Sequence, residues 1–211
     1  MDNQSAPFAR GQTFYNGATI DTANYAGVEL EGRVTVFKNR NVTSGIGAQT
    51  LRSGTDVKCI CVRNTGAAAL LPKRLVTYAS GYHKKRVDGY VTTDYQAVAG
   101  VVDDLLPAAG VPVGDLFWLV VEGPCLAKTS LSGAGFGSVS IAQEDELFGL
   151  TAATSGATTS GRFMGWNGTF TAAQTTDGTA GKVALRSFAR AMSAATSGQT
   201  NSDVLIDVRA L

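Results

Sequence analysis

Few residues of this chain could perform covalent chemistry. It contains three cysteines, Cys59, Cys61 and Cys125, and a single histidine, His83. A thiol nucleophile needs a nearby base and surroundings that lower its pKa. Cys125 follows a Gly-Pro pair and shows no helix start that would supply such surroundings. The sequence therefore favours a structural Cys125, although the residues of a catalytic triad meet in space and need not be neighbours in sequence.

Cys59 and Cys61 lie two residues apart in a predicted strand, so both thiols face the same side of it. A structural zinc site takes four ligands, and only Cys125 and His83 are available to complete one. Free cysteine is also a common buried apolar residue. We interpret Cys59 and Cys61 as core residues, and we predict no metal and no other cofactor.

Two further motifs each lack a part that their chemistry requires. Residues 132–137 are glycine-rich, but strand-like residues follow, whereas a phosphate-binding loop leads into a helix. A hairpin tip is the better interpretation. Glu144 and Glu146 lie in one turn and diverge, whereas glycoside hydrolysis needs carboxylates that converge across a cleft. We interpret this turn as solvated, with its glutamates available for ion pairs, and we predict no catalytic residue and no enzyme activity.

One basic cluster stands out, at residues 82–86, where Tyr-His-Lys-Lys-Arg is interleaved with nearby tyrosines. Three interpretations stay open: a solvated hairpin tip, a nucleic-acid contact, and docking of an acidic patch on a partner protein. The chain has Lys+Arg 18 and Asp+Glu 17, a net charge of +1, which argues against a polyanion binder. We predict no direct nucleic-acid contact and take Lys84, Lys85 and Arg86 as candidate partner-binding residues.

The elements that must position these residues are short β-rich runs separated by turn residues. Their number and spacing predict an all-β fold, a sandwich or barrel-like β core with an extended N-terminal arm. Residues 182–195 fit a helix and a strand equally, and residues 140–147 are a weaker helix candidate with a capping box. The predicted strands are 33–37, 57–63, 70–79, 90–93, 97–102, 116–121, 125–129, 147–151, 162–166 and 204–208.

The N-terminal segment, residues 1–25, is polar and without period but carries spaced aromatic residues. It fits an arm that orders against a neighbouring protein, and it fits a frayed or locally packed terminus equally well. We take Phe8, Phe14 and Tyr15 as further candidate partner-binding residues. We divide the chain into this arm and a β-rich core domain at 26–211, with a possible sub-boundary at 97/98.

Residues 151–202 are rich in Ala, Thr, Ser and Gly and carry few charges. Such a surface is suited to being covered by a partner or by sister subunits, and flexible hairpin loops are the alternative. The chain shows no secretory signal and no apolar stretch of membrane-spanning length. The odd number of cysteines excludes a complete disulfide framework. We therefore expect synthesis in a reducing cytoplasm and no contact with a membrane.

Residues 98–211 carry a series of short motifs in a recognisable order. Ala-Gly-Val-Val at 99–102 precedes Gly-Asp-Leu-Phe-Trp-Leu-Val-Val-Glu-Gly-Pro at 114–124 and Cys-Leu-Ala-Lys-Thr at 125–129. Asp-Glu-Leu-Phe at 145–148, Phe-Ala-Arg-Ala-Met at 188–192 and Asn-Ser-Asp-Val-Leu-Ile-Asp-Val at 201–208 follow. This order resembles the head decoration (cement) proteins of tailed bacteriophages. Residues 1–97 have no counterpart in the resemblance, and Phe188-Ala189 replaces the glycine that the family places before Arg-Ala.

The resemblance implies a virion protein without enzyme activity. Such a protein is a homotrimeric β-rich plug on the outer capsid surface, where it binds the major capsid protein and stabilises the head against the pressure of packaged DNA. A receptor- or glycan-binding virion module is the alternative, with an exposed Trp166 stacking on sugar rings. We favour core positions for Trp118 and Trp166, because aromatic residues of β proteins usually pack inside. A thiol or carboxylate hydrolase is the third candidate.

Overall fold

The computed structural model describes residues 6–14, 30–42, 49–90, 98–130, 132–133, 137–138, 141–149, 163–166, 188–194 and 200–210. Within these ranges the chain forms β-strands and no α-helix, which confirms the all-β class. No helix there is long and apolar enough to span a membrane. The strands are β1 (Thr13–Phe14), β2 (Val34–Val42), β3 (Gln49–Asn64), β4 (Leu75–Tyr78), β5 (Arg86–Tyr90), β6 (Gly100–Val102), β7 (Leu116–Ser130), β8 (Ser132–Gly133), β9 (Gly137–Ser138), β10 (Glu146–Gly149), β11 (Phe163–Trp166), β12 (Ala189–Ala191) and β13 (Thr200–Arg209).

Strand β7 organises the main sheet. Its first half pairs with β3 and β6, and its second half pairs with β13 and, in parallel, with β11. One closed circuit of pairing runs through β7, β3, β5, β4 and β6. A second closed circuit runs through β7, β13, β12, β10 and β11. Pairing that returns to its starting strand is the arrangement of a barrel, so the structure favours the barrel-like form of the predicted core.

The side chains of β7 alternate between two apolar clusters. From residue 116 to 121, the odd positions pack in one cluster with Ile60 and Val62. The even positions pack in the other cluster with Cys59 and Cys61. The cysteine thiols therefore share one buried face, as the two-residue spacing predicted. A strand that is buried on both faces has no polar side. Residues 116–121 are therefore a continuous apolar run in the sequence.

The junction between the two halves of β7 is a Gly-Pro pair. The sequence predicted two strands here, but the ladder to β13 continues through Gly123 and Pro124, which pair with Val208 and Asp207. Gly123 has a φ of +96°, and a Cβ built on it would lie 2.7 Å from the carbonyl oxygen of Asp56. The close approach of β3 to β7 therefore requires glycine at this position.

The structure tests two helix candidates in the C-terminal half, residues 140–147 and residues 182–195. The helix expected over 140–147 is wrong, because Glu144 has a φ of +74° and β10 begins at Glu146. A left-handed residue two positions before a strand leaves no room for a helical turn. At 182–195 the described part contains the strand β12, whereas 182–187 lie outside the described residues. Most of the low-charge segment 151–202 also lies outside them.

We expect Gly123→Ala to lower the free energy of unfolding by about 2–4 kcal/mol, because it combines a left-handed backbone with a clash against β3. Gly81→Ala is the matched control. Gly81 has a φ of +78°, but nothing lies within 4 Å of its built Cβ, so only the backbone cost of about 1 kcal/mol applies. Urea unfolding of both variants measures the difference. Equal losses would show that β3 moves aside at no cost.

Candidate interaction site

The N-terminal segment packs against the core of its own chain. The ring of Phe8 lies 5.1 Å from that of Trp118, and the indole N–H of Trp118 donates to the Phe8 carbonyl oxygen at 3.0 Å. The two residues of β1, Thr13 and Phe14, pair with the start of β7. Phe14 is 42% exposed, and its ring stacks 6.0 Å from that of Phe8. The described segment is thus locally packed, and the extended arm stays a prediction.

The three aromatic candidates therefore occupy different environments. Phe8 is half-buried on Trp118, so much of its apolar surface is already covered within the chain. Phe14 keeps an exposed face that a partner could cover. Tyr15 lies outside the described residues. The structure also confirms the predicted core position of Trp118, which is 1% exposed, whereas the side chain of Trp166 is not among those described.

A buried group of charges anchors the same segment. Arg10 donates through Nε to Asp103, and its Nη2 lies 3.8 Å from Asp104. All three side chains are at most 5% exposed. Burial raises the pKa of Asp103 above its ordinary value, and the neighbouring Arg10 opposes that rise. Asp103 also accepts the backbone N–H of Leu105 at 3.1 Å, which helps to hold the carboxylate in place.

Sequence reasoning missed this group. Arg10 is an isolated arginine in a segment without period, and its partner Asp103 lies 93 positions away. The one available indication was the acidic pair Asp103-Asp104 directly after an apolar strand, where a buried carboxylate needs a cation. No local spacing rule connects that pair to Arg10.

Asp103, Asp104 and Cys125 bring ligand atoms within 4.8 Å of one another. In this position the Arg10 guanidinium already supplies positive charge to the carboxylates. The donor set fits an ion-pair cluster better than a metal site.

All three cysteines are buried and free, which confirms the interpretation of Cys59 and Cys61 as core residues and places Cys125 in the same apolar cluster. Burial raises the pKa of Cys61 to about 12 and also raises the pKa of Cys59. The thiol of Cys125 contacts an oxygen of Asp104 at 3.6 Å. An activated cysteine nucleophile needs the opposite shift, a lowered pKa.

The basic cluster forms a tight turn between β4 and β5. The backbone N–H of Tyr82 donates to Ala79 at 3.0 Å, and those of Lys85 and Arg86 donate to the Tyr82 carbonyl at 3.0 and 3.1 Å. Lys84 has a φ of +61°, a left-handed conformation that is unusual outside glycine. Backbone bonds from several positions therefore hold the turn in one shape.

The side chains of this turn divide into two groups. Arg86 donates to the buried Glu31 at 2.9 Å, and its guanidinium carbon lies 4.3 Å above the ring of Tyr82. His83 packs edge-on against Tyr78, with 4.5 Å between ring centroids. In contrast, the side chains of Lys84 and Lys85 are exposed. Of the three basic candidates, Lys84 and Lys85 face solvent, whereas Arg86 is held in an internal ion pair with Glu31.

Glu31 links this turn to the strand beside it. Besides Arg86, it accepts a hydrogen bond from Arg63 Nε at 2.6 Å, and Arg63 donates onward to the Gly114 carbonyl at 2.7 Å. The carboxylate is 1% exposed and lies between the two guanidinium groups. A buried carboxylate that two arginines share fixes the position of the turn relative to β3.

A cleft of about 840 Å³ opens over Gly123 and Pro124, where the two circuits meet. The charged residues that line it are held in ion pairs. These pairs are Lys58–Glu122 at 2.9 Å, Arg190–Glu144 at 3.0 Å, Arg209–Asp207 at 3.3 Å and Asp56–Lys38 at 2.9 Å. Arg190 also reaches Glu146 at 3.4 Å, which confirms that these glutamates serve in ion pairs. Paired charges of this kind are typical of a protein surface that meets water or a partner.

The described ends of the glycine-rich stretch, residues 132–133 and 137–138, pair as the hairpin prediction requires, whereas 134–136 lie outside the described residues. Strands β8 and β9 pair antiparallel, with Gly133 opposite Gly137, and so form a hairpin. A hairpin offers no helix N-terminus to a phosphate group.

No protein-family model and no curated protein matches this chain. Among solved structures, the chain is similar to the N base of head fiber gp8.5 of bacteriophage phi29, with 12% identity and a TM-score of 0.38. The alignment covers 73% of this chain and 95% of that chain. A TM-score this low does not establish a shared fold.

We expect Arg10→Ala to lower the free energy of unfolding by about 3–5 kcal/mol, because it removes the cation that is hydrogen-bonded to the buried Asp103 carboxylate. Adding Asp103→Asn to this variant should restore part of the loss, because it removes the uncompensated charge. Urea unfolding of the single and double variants measures both effects. A loss below about 1 kcal/mol for Arg10→Ala would contradict the buried ion pair.

We expect the three thiols to resist a thiol-reactive disulfide reagent at mildly alkaline pH, because each is buried and its pKa is raised. Labelling should be slower than in urea by a factor on the order of 100 or more, since it requires opening of the core. The released chromophore measures the rate, and Cys125→Ser assigns the contribution of one site. Rapid labelling of Cys125 in the folded protein would instead support a reactive thiol.

Proposed function

We propose that this chain is a structural protein of a bacteriophage virion, which binds the outer surface of the capsid and stabilises the shell. The proposal extends to its partners: the major capsid protein and sister copies in a homotrimer. Synthesis would occur in the host cytoplasm, before the protein joins the head. No reacting centre and no cofactor are needed for this function.

One observation carries the proposal. The motifs that resemble the decoration proteins lie on five neighbouring strands, in the sheet order β10, β12, β13, β7 and β6, the last of which contains most of residues 99–102. Residues 114–124 enter β7, residues 145–148 enter β10, residues 188–192 contain β12 and residues 201–208 lie in β13. Motifs scattered over about a hundred positions of sequence are therefore side by side in space. We take this neighbourhood as support for the resemblance, because the motifs then form one continuous part of the sheet.

The exposed apolar side chains support a function in binding to the surface of another protein. A partner that covers them adds about 25 cal/mol per Å² of apolar area, before the cost of ordering is subtracted. They are Phe14, Val34, Val36, Leu71, Tyr82 and Val113, each at least 40% exposed.

Binding of this kind stabilises the shell by mass action. A ligand that binds the assembled shell and not its open state adds about 2.7 kcal/mol per site when its free concentration is 100 times its Kd. Many such sites on one particle add their contributions, and a trimer that contacts several capsid subunits gains avidity. Modest individual contacts are therefore sufficient.

The test compares heads that carry this protein with heads from a phage or prophage in which its gene is deleted. We expect the deleted heads to release DNA at a lower temperature, because the capsid loses the stabilisation supplied by the bound protein. A DNA-binding dye reports the release during heating. Adding back the purified protein should restore the release temperature, and an unrelated β-rich protein of similar size should not.

Equal release temperatures with and without the protein would contradict the stabilising function. If release is unchanged but adsorption to host cells falls, the receptor-binding alternative is favoured over the cement. If purified heads contain none of this protein, the proposed location on the virion is wrong.

A further inference from the structure

The turn at residues 82–86 concentrates positive charge in a chain whose net charge is only +1. Glu31 is buried between Arg63 and Arg86, so its single negative charge serves both arginines. Lys84 and Lys85 add two exposed cations directly beside that group. The surface of the turn is therefore positive, while the charges along the cleft are paired with opposite charges.

The turn is ordered before any partner arrives. Backbone hydrogen bonds at Tyr82, Lys85 and Arg86 hold its shape, and Arg63 donates its backbone N–H to Lys85 at 3.1 Å. The left-handed conformation of Lys84 costs on the order of 1–2 kcal/mol, which the surrounding bonds must offset. A preformed site loses less conformational entropy on binding, so even a few charged contacts become effective.

The aromatic residues and the arginine of the turn contact one another within the chain, although Tyr82 stays 46% exposed. The ring of Tyr82 lies beneath Arg86, and Tyr78 packs against His83. Binding of single-stranded nucleic acid uses free aromatic faces for base stacking, and phosphate recognition often uses the bidentate fork of arginine. Arg86 donates its Nε to Glu31 at 2.9 Å, and its guanidinium lies over the Tyr82 ring, so this side chain is held within the turn and is only 21% exposed. The exposed cations of the turn are therefore the two lysine point charges, which suit carboxylates at the rim of a protein interface.

We infer that the turn at residues 82–86 is a preformed docking site for an acidic protein surface, with Lys84 and Lys85 as its contact residues. The inference rests on the proposed function, in which that acidic surface belongs to the outside of the capsid protein. Charges at the rim of an interface act mainly on the rate of association, so the site steers the protein onto the shell.

The first experiment tests the chemistry of the turn on the isolated protein. Binding of a short polyglutamate peptide is compared with binding of single-stranded DNA of equal charge at low salt. The variant is Lys84→Gln/Lys85→Gln, and the matched control is Lys38→Gln/Lys58→Gln. Both pairs remove two positive charges, but Lys38 and Lys58 lie in ion pairs with Asp56 and Glu122.

We expect the variant at 84 and 85 to weaken polyglutamate binding about tenfold and the control to leave it nearly unchanged. Equal effects of the two variants would overturn the inference, because net charge alone would then explain the binding. Tighter binding of DNA than of polyglutamate, lost in the variant at 84 and 85, would also overturn it in favour of a nucleic-acid site.

The second experiment uses heads that lack the protein and measures the rate at which purified protein joins them. The variant at 84 and 85 should associate about tenfold more slowly at low salt, and the difference should shrink at high salt. If wild type and variant associate equally fast, this turn does not face the shell and the inference fails. If wild type ignores the heads while the polyglutamate result holds, the proposed function fails and the acidic-protein site stands.

Discussion

Strand β7 places its side chains alternately into two apolar clusters, so each face of the strand needs its own cover. The strands of the first circuit cover one face around Phe117 and Leu119. The other face, around Trp118 and Val120, is covered by the N-terminal segment and by residues of the second circuit. Full burial of a large apolar side chain stabilises a fold by roughly 1.5–3 kcal/mol. Strand β7 therefore joins the two circuits and the N-terminal segment. Removing any one of these parts would expose an apolar face of the strand.

Charged groups connect segments that the apolar clusters alone would leave loosely placed. Arg10 joins the N-terminal segment to the loop after β6, and Glu31 joins β3 to the basic turn. At the surface, Asp203 lies between Lys73 and Lys128. Partial burial raises the pKa of Asp203, but hydrogen bonds from the two lysines lower it below the ordinary value. Buried ion pairs add little net stability, so we regard their main effect here as selecting one arrangement of these segments.

Ion pairing also determines which charges are exposed at the surface. Ion pairs neutralise the cleft over Gly123 and Pro124, whereas Arg86 shares the buried Glu31 with Arg63. Lys84 and Lys85 remain as exposed cations on a rigid turn, and several apolar side chains lie elsewhere on the surface. A molecule that works by covering other proteins needs this combination: a stiff framework, apolar area to bury and charge to orient the encounter. The proposed function on the capsid uses all three.

Alternation of apolar residues and the positions of Gly, Pro and Asn were sufficient to predict the all-β class and most of the strands, because strand formation follows a local period of two. The same local information identified the basic turn, the hairpin at 132–138 and the buried cysteines. It failed over 140–147, where a capping-box spacing was outweighed by the left-handed Glu144 and the pairing of β10. The closure of both circuits on β7, the passage of that strand through Gly123-Pro124 and the burial of Arg10 against Asp103 were decided only by the tertiary structure. Each of these depends on contacts between residues far apart in the chain, whose free energy exists only after the intervening segments have folded.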